Sequence, residues 1–175
     1  NPPELICPGD ISTYTDINSC TSYITDNLNA NYSGSDLVRL IWKMTGATED
    51  ASPSTGFNQI GAYTFNEGTT VITYTLENNE GNTVTCSFNV IISDNQVPNI
   101  FNMPENILIN TENGKCDAAV FWVRPTASDN CTPREQLIWS ESHKPGSIFS
   151  LGITEVTYSV EDAMGNNIED TSFHV

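Results

Sequence analysis

The sequence predicts an all-β chain folded as two tandem antiparallel β-sandwiches. Three observations predict it. Pro, Gly, Asn, Ser and Thr interrupt nearly every window that could hold a helix. Short runs of apolar alternation, the mark of half-buried strands, recur along the chain. The second half then repeats the landmarks of the first.

The clearest strand is "TTVITYTL", residues 69–76, with Ile72, Tyr74 and Leu76 on one face and Val71, Thr73 and Thr75 on the other. "TEVTYSV", residues 154–160, does the same with Val156, Tyr158 and Val160. Each run ends in a Gly-Asn turn, "ENNEGN" (77–82) and "EDAMGN" (161–166), and each turn leads into another strand, "TVTCSFNVII" (83–92) and "IEDTSFHV" (168–175). Gly-Asn between two alternating runs predicts a hairpin.

These regions align: Gly68 with Gly152, Tyr74 with Tyr158, Glu77 with Glu161, Gly81 with Gly165, and Phe88 with Phe173 after a one-residue slip. Upstream, "LIW" at 40–42 aligns with "LIW" at 137–139, Cys20 with Cys116, and "PGDI" at 8–11 with "PENI" at 104–107. The expected organisation is therefore a first repeat over 1–93, a linker over 94–97, and a second repeat over 98–175. The first repeat carries an insertion within about 43–66. Each repeat offers about seven short strands, with a Trp in mid-repeat (Trp42, Trp139) and a Tyr in the penultimate strand. That is the pattern of a small sandwich of immunoglobulin type, in which both tryptophans are expected in the core.

Composition excludes several classes of function. The chain has 22 Asp+Glu against 6 Lys+Arg, a net charge of -16. It lacks the basic patch of a nucleic-acid binder and the basic amphipathic helix of a membrane-surface protein. An acidic surface of this kind attracts cations. No apolar run is long enough to cross a membrane. The Pro pair at the start and the strand-like "SFHV" at the end read as a piece of a longer chain. Catalysis is not expected: His143 and His174 stand in a turn and a terminal strand, with no nucleophile-elbow pattern near them. The five cysteines, at 7, 20, 86, 116 and 131, form no C-x-x-C pair, so disulfides in an oxidising compartment are expected rather than a zinc site.

"SDN-x-x-P" occurs twice, at 93–98 and 128–133. One reading is plain turn chemistry. The other is a Ca²⁺ site: in a sandwich of this topology, the end where the chain comes in would gather Asp94, Asn95, Asp129, Asn130, Glu161 and Asp162. Both readings stand on sequence alone.

The repeat resembles a known module, the hyalin repeat or HYR domain. The resemblance is carried by "ELICPGDI", "GKCDAAV", "PTASDNC", "GITEVTYSVEDAMGN" and "GTTVITYTLENNEGNTVTCSFNVIISDNQVP". It implies extracellular, non-catalytic immunoglobulin-like modules strung in tandem in adhesive proteins, including large surface adhesins of gliding bacteria. It implies a Cys7–Cys86 disulfide and a Cys116–Cys131 disulfide, and leaves Cys20 as a free, buried thiol. The second pairing strains against a straight strand, which would hold Cys116 and Cys131 too far apart. The expected partners are neighbouring repeats and extracellular polysaccharide or surfaces. The alternative, a carbohydrate-binding accessory module of a secreted enzyme, points to Phe57, Tyr63 and Phe65 of the insertion as glycan contacts.

Overall fold

The computed structural model describes residues 2–175, and of residues 169 and 170 the backbone only. The chain divides into two compact units, Asn1–Asp94 and Asn95–Val175. Among the described residues the regular structure is strand, apart from one 3-10 turn at Arg134–Gln136.

The first unit contains β1 (Glu4–Ile6), β2 (Ile11–Tyr14), β3 (Thr21–Ile24), β4 (Asn31–Ser33), β5 (Leu37–Gly46), β6 (Asp50–Ala51), β7 (Gly56–Phe57), β8 (Tyr63–Asn66), β9 (Gly68–Asn78) and β10 (Thr83–Ser93). Its main sheet runs β2-β10-β9-β5-β6, with β7 also pairing β5. β2 joins β10 in parallel, whereas β10–β9 and β9–β5 are antiparallel. The shorter ladders β1–β4 and β3–β8 pack against this sheet through Leu5, Ile24 and Phe65. Alternation decides what lies inside: Ile72, Tyr74 and Leu76 of β9 are fully buried, as are Val90 and Ile92 of β10 and Leu40 and Met44 of β5.

The second unit contains β11 (Asn99–Phe101), β12 (Asp117–Ala119), β13 (Thr126–Ser128), β14 (Ile138–Glu141), β15 (Ile148–Ser150), β16 (Glu155–Glu161) and β17 (Asn167–His174). The ladders are β14-β16-β17, β11–β13 and β12–β15. Val156, Tyr158 and Val160 are buried as their alternation predicts. Both hairpins form at the expected turns, and Gly81 (φ 81°) and Gly165 (φ 84°) supply the left-handed residue that each turn requires. The one-residue slip between the hairpins has a structural cause. β9–β10 pairs without interruption, but β16–β17 shifts register between Tyr158 and Val160. The bulge lets Phe173 face Val156 as Phe88 faces Ile72, so both phenylalanines reach their cores.

The expectation for the tryptophans needs correction. Trp42 is half-buried at the edge of its core, opposite Tyr74. Trp139 is 38% exposed. The two "LIW" motifs are not equivalent in the ladder. Tyr158 faces Glu141, and Trp139 faces Val160, the place that Leu40 takes opposite Leu76 in the first repeat. Sequence matching missed a two-residue offset, which preserves the face and so leaves the alternation intact. The second tryptophan that helps to fill the core is Trp122, packed edge-on against Phe149 and Phe173.

The insertion also resolves into parts. β6 and β7 pair with the outer edge of β5, β7 in parallel with Leu40 opposite Phe57. β8 belongs to the common fold, since it pairs β3 as β15 pairs β12. In the second unit β14 is the edge of its sheet.

Tyr74 ties the first unit together. Its hydroxyl donates to the Leu28 carbonyl (2.9 Å) and accepts from the Ile60 N–H (3.2 Å). Burial holds its pKa above the ordinary tyrosine value, so the hydroxyl stays protonated as a donor. Tyr74→Phe leaves both backbone groups without this partner. It should cost about 1–3 kcal/mol by denaturant titration of the whole chain. A change below about 0.5 kcal/mol, the level of an indifferent surface substitution, would contradict this role.

Candidate functional site

Two loops of the second unit carry the candidate metal residues, 128–133 after β13 and 161–166 between β16 and β17. Asp129 Oδ2 accepts the N–H groups of Cys131 and Thr132, each at 2.9 Å. Thr132 Oγ1 accepts the Ala163 N–H at 3.0 Å, which joins the loops. Asp162, 1% exposed, holds the hairpin turn. Its Oδ1 accepts from the Met164 and Asn166 N–H groups, both at 2.8 Å, and its Oδ2 from Asn166 Nδ2 at 2.7 Å. These contacts are the plain turn chemistry of Asp.

Two features exceed turn chemistry. A carboxylate oxygen of Asp129 and one of Asp162 lie within 4.8 Å of each other. Asp129 Oδ1 is buried and accepts no hydrogen bond from any described residue. A buried carboxylate oxygen without a donor is costly, and a second carboxylate so close adds repulsion. The first repeat shows that the turn needs no charge. There Asn78 accepts the N–H groups of Glu80 (3.1 Å) and Asn82 (2.9 Å) through its Oδ1. A neutral amide thus accepts two backbone N–H groups of the turn as Asp162 Oδ1 does, while Asp162 Oδ2 takes a further contact from the Asn166 side chain.

Of the six residues read as metal ligands, the second unit brings together Asp129 and Asp162. Asn130 turns its Nδ2 toward Cys131 Sγ (3.4 Å), and Glu161 is half-buried at the end of β16. Asn95 is exposed. Asp94, the last residue of the first unit, is buried and accepts the Thr15 hydroxyl at 3.2 Å.

The cysteines divide differently from the expectation. Cys7 and Cys86 are bridged, with a Cα–Cα distance of 5.7 Å. This bond ties the end of β1 to β10 over a separation of 79 residues, a closure worth about 4 kcal/mol in the chain-entropy account. Cys116 and Cys131 are not paired. Cys20 and Cys131 are each disulfide-bonded, and Cys116 is the free, exposed thiol among the described residues. The expected Cys116–Cys131 bond and the free Cys20 are both overturned. Cys116 leads into β12, which pairs β15, whereas Cys131 follows β13, which pairs β11. The two residues thus flank different strands, Cys116 exposed and Cys131 half-buried, and matching motif positions in a sequence does not report which sulfurs meet.

The proposed glycan trio is likewise split. Phe65 faces inward on β8 and is fully buried, which removes it as a contact. Tyr63 is half-buried, edge-on to Trp42, and its hydroxyl donates to Asp50 Oδ2 at 2.5 Å. That bond raises the Tyr63 pKa and lowers the Asp50 pKa, since it favours the protonated phenol and the ionised carboxylate. Phe57 is exposed and stacked on Tyr32, with ring centroids 5.7 Å apart.

Two strand-paired units of this kind, each with its own buried aromatic centre, define a pair of tandem immunoglobulin-like β-sandwich modules. The profile of the HYR domain matches residues 1–92 and again 93–175. The chain belongs to the HYR family, a family of adhesion-type repeat modules. Hyalin of Strongylocentrotus purpuratus is 34% identical over 116 residues, 65% of this chain and 9% of hyalin. The sushi, von Willebrand factor type A, EGF and pentraxin domain-containing protein 1 of Rattus norvegicus is 26% identical over 171 residues, 94% of this chain and 4% of that protein. The chain thus spans under a tenth of either relative. Among solved structures, the Ig1-2 module of the Drosophila receptor tyrosine phosphatase DLAR aligns over 100% of this chain and 99% of its own, with a TM-score of 0.36 and 15% identity. Drosophila N-cadherin EC1-4 aligns over 100% of this chain and 48% of its own, with a TM-score of 0.44 and 10% identity. Likenesses at that level add nothing to the fold read from the strands.

The thiol assignment has a direct readout. Maleimide labelling of the folded, unreduced chain followed by peptide mapping should modify Cys116 alone. Labelling at Cys20 would show that the disulfide assignment is wrong.

Proposed function

We propose that this chain is a non-catalytic structural segment of a large secreted or cell-surface adhesin, acting as a spacer and surface-contact module. The observation that supports it is that each repeat closes a core of its own. Modules that are stable singly can be added in series to lengthen a stalk. In the first repeat the Cys7–Cys86 bond also fastens the earliest strand to the last, which resists peeling under tension. Disulfides further suit an oxidising, extracellular compartment. Scattering from chains of two, three and four repeats tests this. The maximum dimension should rise by a constant step per repeat, and a compact particle that does not lengthen would sink the reading.

The same reading includes Ca²⁺ as a stiffening ion at loops 128–133 and 161–166. Asp129 and Asp162 are its first carboxylate ligands. What supports the ion is the donorless Asp129 Oδ1 beside a second carboxylate. Ca²⁺ takes oxygen ligands and would relieve that repulsion. Affinity should lie near the extracellular range, a Kd of about 10⁻⁴–10⁻³ M.

Calorimetry and thermal melts of the parent and Asp162→Asn provide the test. Asn keeps an oxygen for the two backbone N–H groups, as Asn78 does in the first repeat, but removes the charge and the acceptor of Asn166 Nδ2. The parent should release or take up heat and gain Tm with Ca²⁺. Asp162→Asn should lose both effects. A parent with neither heat nor Tm gain excludes the site.

A further inference from the structure

The exposed Trp139 has neighbours that the spacer function does not use. It lines a cleft of about 270 Å³ in the second unit together with Arg124, Pro125, Arg134, Glu141 and Tyr158. The whole chain has only 6 cationic lysines and arginines against 22 carboxylates, yet two of its arginines meet in this one cleft. The indole stands edge-on to the Tyr158 ring, with centroids 6.1 Å apart. One side of the cleft is therefore apolar and aromatic.

The two arginines differ. Arg124 is ion-paired with Glu141, whose side chain is mostly buried. This pair orients the Arg124 fork and cancels its charge. Arg134 lies in the 3-10 turn, is exposed, and forms no ion pair with a described residue. The cleft thus has one uncompensated guanidinium, one guanidinium held in place, and an indole beside them. The absence of this arrangement from the first repeat has a structural reason. The equivalent ladder position there is Leu40, fully buried on a strand whose outer edge β7 pairs, whereas Trp139 stands on β14, which among the described residues has no strand on its outer edge.

We propose that this cleft binds one anionic sugar ring of an extracellular polysaccharide. The apolar face of the pyranose would lie against Trp139, and its carboxylate or sulfate would bind Arg134. A guanidinium matches the planar geometry of a carboxylate with two parallel N–H donors and is the preferred group for such contacts. Aromatic faces supply apolar area with little entropy to lose on binding. The volume lies just below the roughly 300–1,000 Å³ of small-molecule pockets, which suits a single ring rather than a peptide or an enclosed chain. An acidic peptide would meet repulsion from the rest of a chain carrying a net charge of -16, along its whole length. A polysaccharide whose acidic rings are spaced by neutral ones presents one charge at a time to Arg134 and meets far less.

This inference rests on the surface-contact part of the proposed function. It is separable from the spacer and calcium parts, because Arg134→Gln alters neither scattering nor the Asp129–Asp162 pair. The test is a calorimetric titration of the full chain, read beside the indole N–H resonances of Trp42, Trp122 and Trp139. The probes are galactotriose with a single galacturonate ring, galactotriose with a single sulfate, and neutral galactotriose.

Either acidic probe should shift the Trp139 resonance, and which of them does so distinguishes carboxylate from sulfate. Galactotriose should leave it still. Arg134→Gln should weaken binding about tenfold, the loss of one charge-assisted contact, and Trp139→Ala should abolish it. Both residues are exposed, and an unchanged Tm with retained amide dispersion will verify that the variants are folded. Phe57→Ala, which removes the Tyr32–Phe57 stack in the first unit, should bind as the parent does. The proposal is overturned if no acidic probe binds, if galactotriose binds equally, if Arg134→Gln binds like the parent, or if Phe57→Ala abolishes the shift.

Discussion

Tyr74 and Tyr158 occupy the same place in the two repeats, on the strand that has a neighbour on each side, and much of each unit is organised around that strand. Its alternation sets one face to the core, and a slip of one residue would turn every side chain over. A buried phenol must also find partners for its hydroxyl. Tyr74 finds the Leu28 carbonyl and the Ile60 N–H, drawing in two segments that lie outside the main sheet. Tyr158 instead accepts the Trp122 indole N–H at 2.8 Å. The same requirement, met by different partners, gives each repeat its own way of closing the sandwich.

The two units diverge most where the central constraint is weakest, at the sheet edge. In the first, β6 and β7 extend the sheet beyond β5, and Leu40 can be a core residue. In the second, β14 is an edge, and its position opposite Val160 is held by a half-open tryptophan. The ion pair between Arg124 and Glu141 lies on this edge. Charged groups there also discourage pairing with a foreign strand. The additional strands of one repeat and the aromatic cleft of the other are two answers to one exposed edge.

Charge diverges in the same manner. Asn78 and Asp162 hold equivalent turns with the same pattern of backbone donors. The carboxylate adds a charge that the turn does not need, placed beside Asp129. An acidic residue in a hairpin is unremarkable by itself. A second carboxylate and a donorless oxygen within reach make this one a place where a cation would lower the energy.

Strand identity, inward faces, hairpin turns and the tandem repeat were legible in the sequence because each depends on neighbours a few residues apart. Alternation at period two marks Ile72, Tyr74 and Leu76 whatever lies across from them. Asp129 and Asp162 were legible as candidates, because the topology of such a sandwich brings their two loops to one end. The partners of Cys20, Cys116 and Cys131 were not legible, nor was the exposure of Trp139. The cysteines depend on which sulfurs the folded chain brings within bonding distance. The tryptophan depends on a two-residue offset between strands that alternation does not register, because an even shift keeps the face. Periodicity determined which side chains point inward, and only tertiary pairing decided what each of them meets there.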